Sequence, residues 1–498
     1  MYQSGEATTL RPSARAATRL SNLTRHFSAV TICMLLKGCV GPMSTPATYQ
    51  AEPDVLHRKV YGGRIFTLNR PASMNALNLS MIRNIYPQLQ AWSISDQCNV
   101  IIMKAGTQPP EKKSVAFCAG GDVVSLLNNV QKKKAAQNLD FFREEYALNH
   151  LIGTIRKPYV AFIDGVTMGG GVGISIHAPF RVATERTYFA MPETNIGFFP
   201  DVGGSFFLPR LDGAMGRFLG LTGARLRGAD NVYAGIATHY VPSSQIPALE
   251  ARLCELETDD HQVVSAAIEE FSEDLPGSYS LGGLVREKID RCFGRSSLPA
   301  IIEALEKEGD EWSEDVRATL LRMSPLSLKV TLELLRRGAN LSFAKCLMME
   351  FGVAQKMILQ PDFAEGVGKT LVDKSKSPKV WNPATLDEVT DSWVIQEFFE
   401  DPKLKTLTFP SHAKDDGAWH SYPYAYPNGK GNMPTEAEIR DLIQGTNRRS
   451  GPTSWGKEEL LDFIVAERDG RRGTRAVAEE ILKRKAALGA EGYLSWLN

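Results

Sequence analysis

Phe117-Cys118-Ala119-Gly120-Gly121-Asp122, Gly165-Val166-Thr167-Met168-Gly169-Gly170-Gly171-Val172-Gly173 and Met191-Pro192-Glu193, the last running on to Phe199-Pro200-Asp201-Val202-Gly203-Gly204, each follow a short apolar run that reads as a strand. Glycines clustered where a strand turns into a helix let backbone N–H groups approach a ligand and point at it, and the helix N-terminus adds partial positive charge. Two such junctions brought together could hold a carbonyl oxygen while negative charge develops on it, where losing one donor typically costs about 10²–10³ in rate. One glycine run alone carries little, because close packing of a helix on a strand gives the same signature. The Gly169-Gly170-Gly171 run lacks the G-x-G-x-x-G order of a dinucleotide site, and no Gly-Lys-Ser/Thr follows to make a phosphate loop.

The flanking sequence alternates in the same way. Val60-Tyr61-Gly62-Gly63-Arg64-Ile65-Phe66-Thr67-Leu68 reads as a hairpin entering a strand. Leu77, Met81, Ile82, Ile85, Leu89 and Trp92 recur at helical spacing, and Val100-Ile101-Ile102-Met103 forms a short buried strand before a polar loop, 107–114. Tyr159-Val160-Ala161-Phe162-Ile163 and Tyr188-Phe189-Ala190 repeat the pattern, so an α/β architecture with parallel crossovers is expected. From about Ser243 to Pro361 the signals are helical, with Ser324 capping a helix whose first turn holds Pro325.

Past Trp381 the texture changes, and 412–432, rich in Pro, Gly, Tyr and His, reads as an extended linker. Two helical stretches follow it. Thr435-Glu436-Ala437-Glu438 has capping-box form, and Ser454 is placed to cap the next run. The segment 468–485, dense in both charge signs, reads as a solvated helix face. No internal repeat is present.

The bulk properties exclude several classes. At 498 residues the chain exceeds what one core usually supports, so a core with appended segments is expected. Lys+Arg and Asp+Glu stand at 57 each, which gives no global field toward nucleic acid or anionic membrane. Seven scattered cysteines without a Cys-x-x-Cys pair argue against a disulfide framework or a zinc site, so no metal is expected. Across 1–51 the only acid is Glu6, whereas Arg11, Arg15, Arg19, Arg25 and Lys37 lie among Ser, Thr and Ala, the pattern of a mitochondrial targeting segment. The apolar run from Val30 to Leu36 is far short of the about 20 residues a membrane span needs.

The motifs F-C-A-G-G-D, G-x-T-M-G-G-G-V-G, M-P-E-T and F-P-D-V-G-G-x-F-F-L-P-R-L, in this order, resemble the 3-hydroxyisobutyryl-CoA hydrolases of the crotonase superfamily. The likeness extends from about Val60 to Asp362-Phe363-Ala364-Glu365-Gly366-Val367 and Ser377-Pro378-Lys379, some two-thirds of the chain. It implies a crotonase fold in which repeated ββα turns form a spiral core, with a helical C-terminal subdomain and an appended, mostly helical tail. The expected division is a targeting segment over 1–51, a core over 56–245, a helical subdomain over 246–400 and a linker with helical extension over 409–498.

Position by position, the resemblance implies that the backbone N–H groups of Gly121 and Gly170 form an oxyanion pair, that Glu193 is the catalytic carboxylate and Asp201 its second acid, and that Glu145 contacts substrate together with Gly170, Glu193 and Asp201. Thioester hydrolysis needs a carboxylate that deprotonates water or one that attacks the carbonyl, and a partly desolvated Glu193 beside a second acid suits either role. No cofactor is implied beyond the coenzyme A of an acyl-CoA substrate. The mitochondrial matrix is the expected location, and a homo-oligomer is compatible with the superfamily.

Two alternatives stand beside hydrolysis. Some mitochondrial ribosomes contain a small-subunit protein resembling these hydrolases, and the segment 409–498 is an addition a metabolic hydrolase does not need, although its balanced charge gives no footprint for RNA. Alkene hydration is the other; enoyl-CoA hydratases usually carry a second glutamate shortly after the glycine triplet, where this chain has Gly173. His177 and His239 are expected in the core, Cys118 as a small buried hydrophobe, Asp122 as a helix cap and Glu144 as a solvated neighbour of Glu145.

Overall fold

Strand β1 (Val55–Val60) turns back on β2 (Gly63–Leu68) through Tyr61 and Gly62, a two-residue hairpin loop in which Tyr61 takes the left-handed backbone region at φ 47°. The computed structural model describes residues 52–106, 115–409, 432–446 and 454–497. The stretches expected to be a targeting segment, 1–51, and a polar loop, 107–114, and nearly all of the expected linker, 412–432, lie outside the described residues. Residues from Pro53 onward form one compact unit.

Helix α1 (Leu79–Ser93) starts at Asn78, whose side chain accepts from Met81 N at 2.8 Å, and it buries Met81, Ile82, Ile85, Leu89 and Trp92. Leu77, which shares their spacing, lies just outside and pairs as an isolated parallel bridge with Gly121. From β3 (Val100–Ala105) as far as the eighth strand, successive strands alternate between two sheets. Strands β3, β5 (Tyr159–Phe162) and β7 (Phe180–Ala183) extend a six-stranded sheet ordered β1-β2-β3-β5-β7-β10, closed by β10 (His239–Tyr240). Strands β4 (Ala116–Cys118), β6 (Val166–Met168) and β8 (Tyr188–Ala190) lie parallel in a four-stranded sheet completed by antiparallel β9 (Leu226–Arg227). This is the repeated ββα spiral, and it brings the C-terminal ends of β4, β6 and β8 side by side. Gly120 and Gly121, the run Gly169-Gly170-Gly171, and Glu193 each follow one of those ends.

Both faces of the larger sheet are apolar, as a mainly parallel sheet requires. Ile65, Val100, Ile102, Val160, Phe162 and Val182 meet Leu249, Leu253, Val264 and Ile268 from the covering helices Ile246–Cys254 and His261–Glu269. The alternate residues Phe66, Leu68, Ile101, Met103, Tyr159 and Ala161 face the main core. Helices α2 (Val123–Gln131) and α3 (Ala136–Thr154) fill the crossover after β4. The expected helical region is present, and Ser324 accepts from Ser327 N at 3.0 Å ahead of Pro325.

The C-terminal segment departs from expectation in four ways. The charge-dense stretch is not a solvated face: Arg468, Arg471 and Arg484 are buried. Arg468 binds Glu438 and the Asn432 carbonyl, Arg471 the Thr238 carbonyl, and Arg484 both Glu436 and Glu480 at 2.8 Å. Ser454 does not cap the following helix, Lys457–Ala466; Gly456 stands at that position, and Glu459 reaches back to its N–H at 3.4 Å. Only half of the capping box at Thr435 forms, because Thr435 accepts from Glu438 N while the Glu438 side chain is taken by Arg468. After the helix Thr474–Lys485 comes an unforeseen hairpin, Ala486–Leu488 with Leu494–Trp496.

Candidate active site

The loop after β4 is latched to 74–77: Ala119 N donates to Met74 O, Leu77 N to Gly120 O and Asp122 N to Leu77 O. Among the described residues no main-chain carbonyl takes the Gly121 N–H. After β6, Gly169 adopts φ 42°, ψ −118°, a conformation that favours glycine, and Gly170 opens the helical turn α4 (Gly170–Gly173) with an N–H that has no partner inside that turn. The two junctions meet. A Cβ placed on Gly170 would stand 3.2 Å from Gly121 N and 2.8 Å from Glu145 Oε1, and one on Gly169 would stand 3.1 Å from Glu193 Oε1. Only glycines leave room for amides and carboxyls to crowd this closely.

Gly121, Glu145, Gly170, Glu193 and Asp201 all border one cavity of about 690 Å³. Glu145 comes from α3, Glu193 from the 3₁₀ turn after β8, and Asp201 from the loop ahead of α5 (Gly204–Phe207). All three carboxyls are buried, and Glu145 Oε1 and Glu193 Oε2 have no hydrogen-bond partner. Burial pushes the Glu193 and Glu145 carboxyls well above the usual range, and the charge on Asp201 pushes both further. Burial also raises Asp201, to about 7, but the Tyr146 hydroxyl, donating to Asp201 Oδ2 at 2.8 Å, pulls the other way. Asp201 is thus the member of the trio best equipped to carry charge.

The Asp201 loop is held from outside the motifs. Val202, a β-branched residue, sits in the left-handed region at φ 52°, a costly conformation that its surroundings must enforce. Glu350, on the helix Phe343–Met357, accepts from Gly203 N at 2.7 Å, Ser205 N at 2.8 Å and Ser205 Oγ at 2.5 Å. His177 is pushed down to about 3 by burial, so its ring is neutral and Nε2–H donates to Val202 O at 2.7 Å. Sequence reasoning missed Glu350 and Tyr146. The available signal was an acid at Glu350 within the apolar run Leu347-Met348-Met349-Glu350-Phe351.

The other candidates fall outside the cavity or off its chemistry. His239 is buried against Thr238 and Arg471. Burial pushes the Cys118 thiol up to about 12, which leaves it inert. Asp122 caps α2 by accepting from Ser125 N, and Glu144 pairs with Arg83 at the surface. A Cβ on Gly173 would meet Val202 Cβ at 2.7 Å and Asn149 Nδ2 at 2.8 Å, so no side chain fits there without rearrangement. Among the described residues, no cluster of His, Cys, Asp and Glu could hold a metal ion, and no helix is long and apolar enough to cross a membrane.

Parallel strand ends that deliver two free amides and buried carboxyls to one cavity define a crotonase-fold protein. The chain belongs to the enoyl-CoA hydratase/isomerase family, whose profile matches residues 63–399. It is 42% identical over 490 residues to the small ribosomal subunit protein mS47 of Neurospora crassa, covering 92% of each chain. It is 45% identical over 354 residues to the mitochondrial 3-hydroxyisobutyryl-CoA hydrolase of Danio rerio, covering 70% of this chain and 90% of that one. Among solved structures, a carnitinyl-CoA dehydratase from Mycobacterium thermoresistibile superposes with a TM-score of 0.64 at 35% identity, covering 72% of this chain and 99% of that one.

Proposed function

We propose that this chain hydrolyses the thioester of 3-hydroxyisobutyryl-CoA in the mitochondrial matrix. The observation that carries the proposal is the meeting of Gly121 N, Gly170 and the Glu193 carboxyl at one wall of the cavity. The thioester oxygen accepts from the Gly121 and Gly170 N–H groups as the tetrahedral oxyanion develops. Glu193 either takes a proton from the attacking water or attacks the carbonyl itself, and both routes need it ionised. Burial and the Asp201 charge both oppose ionisation of Glu193, so the protonation of the two carboxyls is linked. Asp201 shares and orients that charge through Tyr146. The relatives named as 3-hydroxyisobutyryl-CoA hydrolases support the substrate class. Alkene hydration is disfavoured because the tight packing at Gly173 leaves no space for a glutamate.

The test is free-thiol release from 3-hydroxyisobutyryl-CoA by the purified chain and by Glu193→Gln. Hydrolysis by the unaltered chain that falls about 10²–10⁴-fold in the variant supports the proposal; no release by the unaltered chain defeats it.

A second function is favoured by one observation: the similarity to mS47 runs over 92% of the chain, past the portion shared with the hydrolases. The chain would then be a component of the mitochondrial small ribosomal subunit, alone or in addition to catalysis. Leu488, Tyr493 and Leu497 expose apolar surface on the C-terminal hairpin. Co-sedimentation with mitochondrial small subunits, weakened by Leu488→Asp, supports this role; free sedimentation at physiological salt removes it.

A further inference from the structure

We infer that Lys379 is a positioning residue for Glu193, acting through Asn195; the inference rests on the hydrolase function proposed above. Glu193 opens a single 3₁₀ turn, Glu193–Ile196, and one turn of such a helix makes too few hydrogen bonds to keep its own shape. Glu193 Oε2 has no partner, so the direction of the carboxyl follows from where that turn sits. The residues after Glu193 are each held from outside. Thr194 O accepts from Ser324 N at 3.3 Å, and Asn195 Oδ1 accepts from Lys379 Nζ at 2.8 Å. Ile196 and Gly197 lie against 362–366: a Cβ on Gly366 would stand 2.3 Å from Ile196 C, and one on Gly197 would stand 2.1 Å from Asp362 O.

The stretches that supply these holds are stitched to one another. Asp362 accepts from Ser324 Oγ at 2.5 Å and from Asn382 N at 2.7 Å. Glu365 Oε1 accepts from Val380 N at 2.7 Å and pairs with Lys369 at 2.8 Å, and Lys369 donates to Pro378 O at 2.7 Å. The main chain is therefore pinned on both sides of Lys379, whose Nζ stands 5.7 Å from the centre of the Trp381 ring. Ordering a free lysine is costly in rotamer entropy, and this mounting offsets part of that cost. Among the described residues, Asn195 borders the cavity and Lys379 does not, so the lysine acts through the turn and not on the substrate. Ser324 and Asp362 are buried and the glycines are backbone contacts, whereas Lys379 is a partly exposed side chain that can be changed with the fold kept. Misplacing a reacting group by about 1 Å can cost about 10²-fold in rate.

The experiment measures kcat and KM for 3-hydroxyisobutyryl-CoA with the full chain, Lys379→Met, Asn195→Ala and the double variant. Lys379→Met keeps an unbranched stem but loses the donor. It is expected to lower kcat about tenfold, with KM within about threefold and an unchanged unfolding midpoint. Asn195→Ala is expected to lower kcat by a similar factor, and the double variant by no more than either alone, because both changes remove one contact. Amide hydrogen exchange across 193–198 is expected to rise in Lys379→Met while the strands keep their protection. Losses that multiply in the double variant, a kcat that Lys379→Met leaves unchanged, or a rise in KM alone would overturn the inference. An unaltered chain that hydrolyses nothing removes the hydrolase function itself, and the inference with it.

Discussion

Replacing Asp201 by Asn is expected to stabilise the fold at neutral pH while impairing catalysis. Burial raises the Asp201 pKa from 3.8 to about 7. The folded chain therefore holds a proton that the unfolded chain releases between about pH 4 and pH 7, and stability falls as pH rises through that window before levelling off above it. Three units at about 1.36 kcal/mol each set an upper bound of about 4 kcal/mol. Asn has nearly the same shape and still accepts from the Tyr146 hydroxyl, but it has no proton to lose. Denaturant unfolding of both proteins at half-unit steps from pH 4 to pH 8 gives the difference directly. The variant is expected to match the unaltered chain near pH 4 and to exceed it by a few kcal/mol at pH 8, with an unchanged denaturant slope. Parallel stability profiles across the window, or a variant less stable at pH 8, would refute the claim that Asp201 is strained by burial.

Further consequences concern rate, packing and the C-terminal segment. Hydrolysis should rise with pH as Glu193, held protonated by burial and the Asp201 charge, ionises, and Asp201→Asn, which removes that charge, should move the limb to lower pH; an unmoved limb contradicts the linkage. Gly121→Ala should fold and retain most activity, since the added Cβ makes only a 3.4 Å contact with Phe141 Cζ, whereas Gly171→Ala places a Cβ 2.2 Å from the Cys118 carbonyl and should fold poorly, as judged by soluble yield and unfolding midpoint. Arg484→Ala takes a buried cation from Glu480 and one of two from Glu436, which keeps Arg286, and should cost about 1.5–3 kcal/mol, read as early protease cleavage in the C-terminal segment; unaltered resistance would mean that the arginine holds nothing.

The gathering of the candidate residues at one cavity was legible because it depends on local backbone geometry. Gly121 and Gly170 announce themselves, since only glycine permits the conformation at Gly169 and the close approach to Glu145, and Glu193 lies three residues past the end of β8, with Asp201 eight residues further along the same stretch. What stayed hidden acts across long sequence separations. Glu350 is 147 positions from the Gly203 amide it holds, and nothing local distinguishes it from any acid on an amphipathic helix except its apolar neighbours. Arg468, Arg471 and Arg484 lie in a stretch whose mixed charges fit a solvated helix equally well; their burial depends on Glu438, Thr238 and Glu436, which other parts of the chain supply. The terminal hairpin rests on two three-residue strands, too short for period-two alternation to register.

The central claim is that Gly121 and Gly170 together grip one acyl oxygen. A crystal structure of Glu193→Gln bound to 3-hydroxyisobutyryl-CoA tests it most directly. The thioester oxygen is expected within about 2.7–3.1 Å of both amide nitrogens. A bound thioester whose carbonyl points away from that pair, with the amides turned to solvent or to the protein, would contradict it.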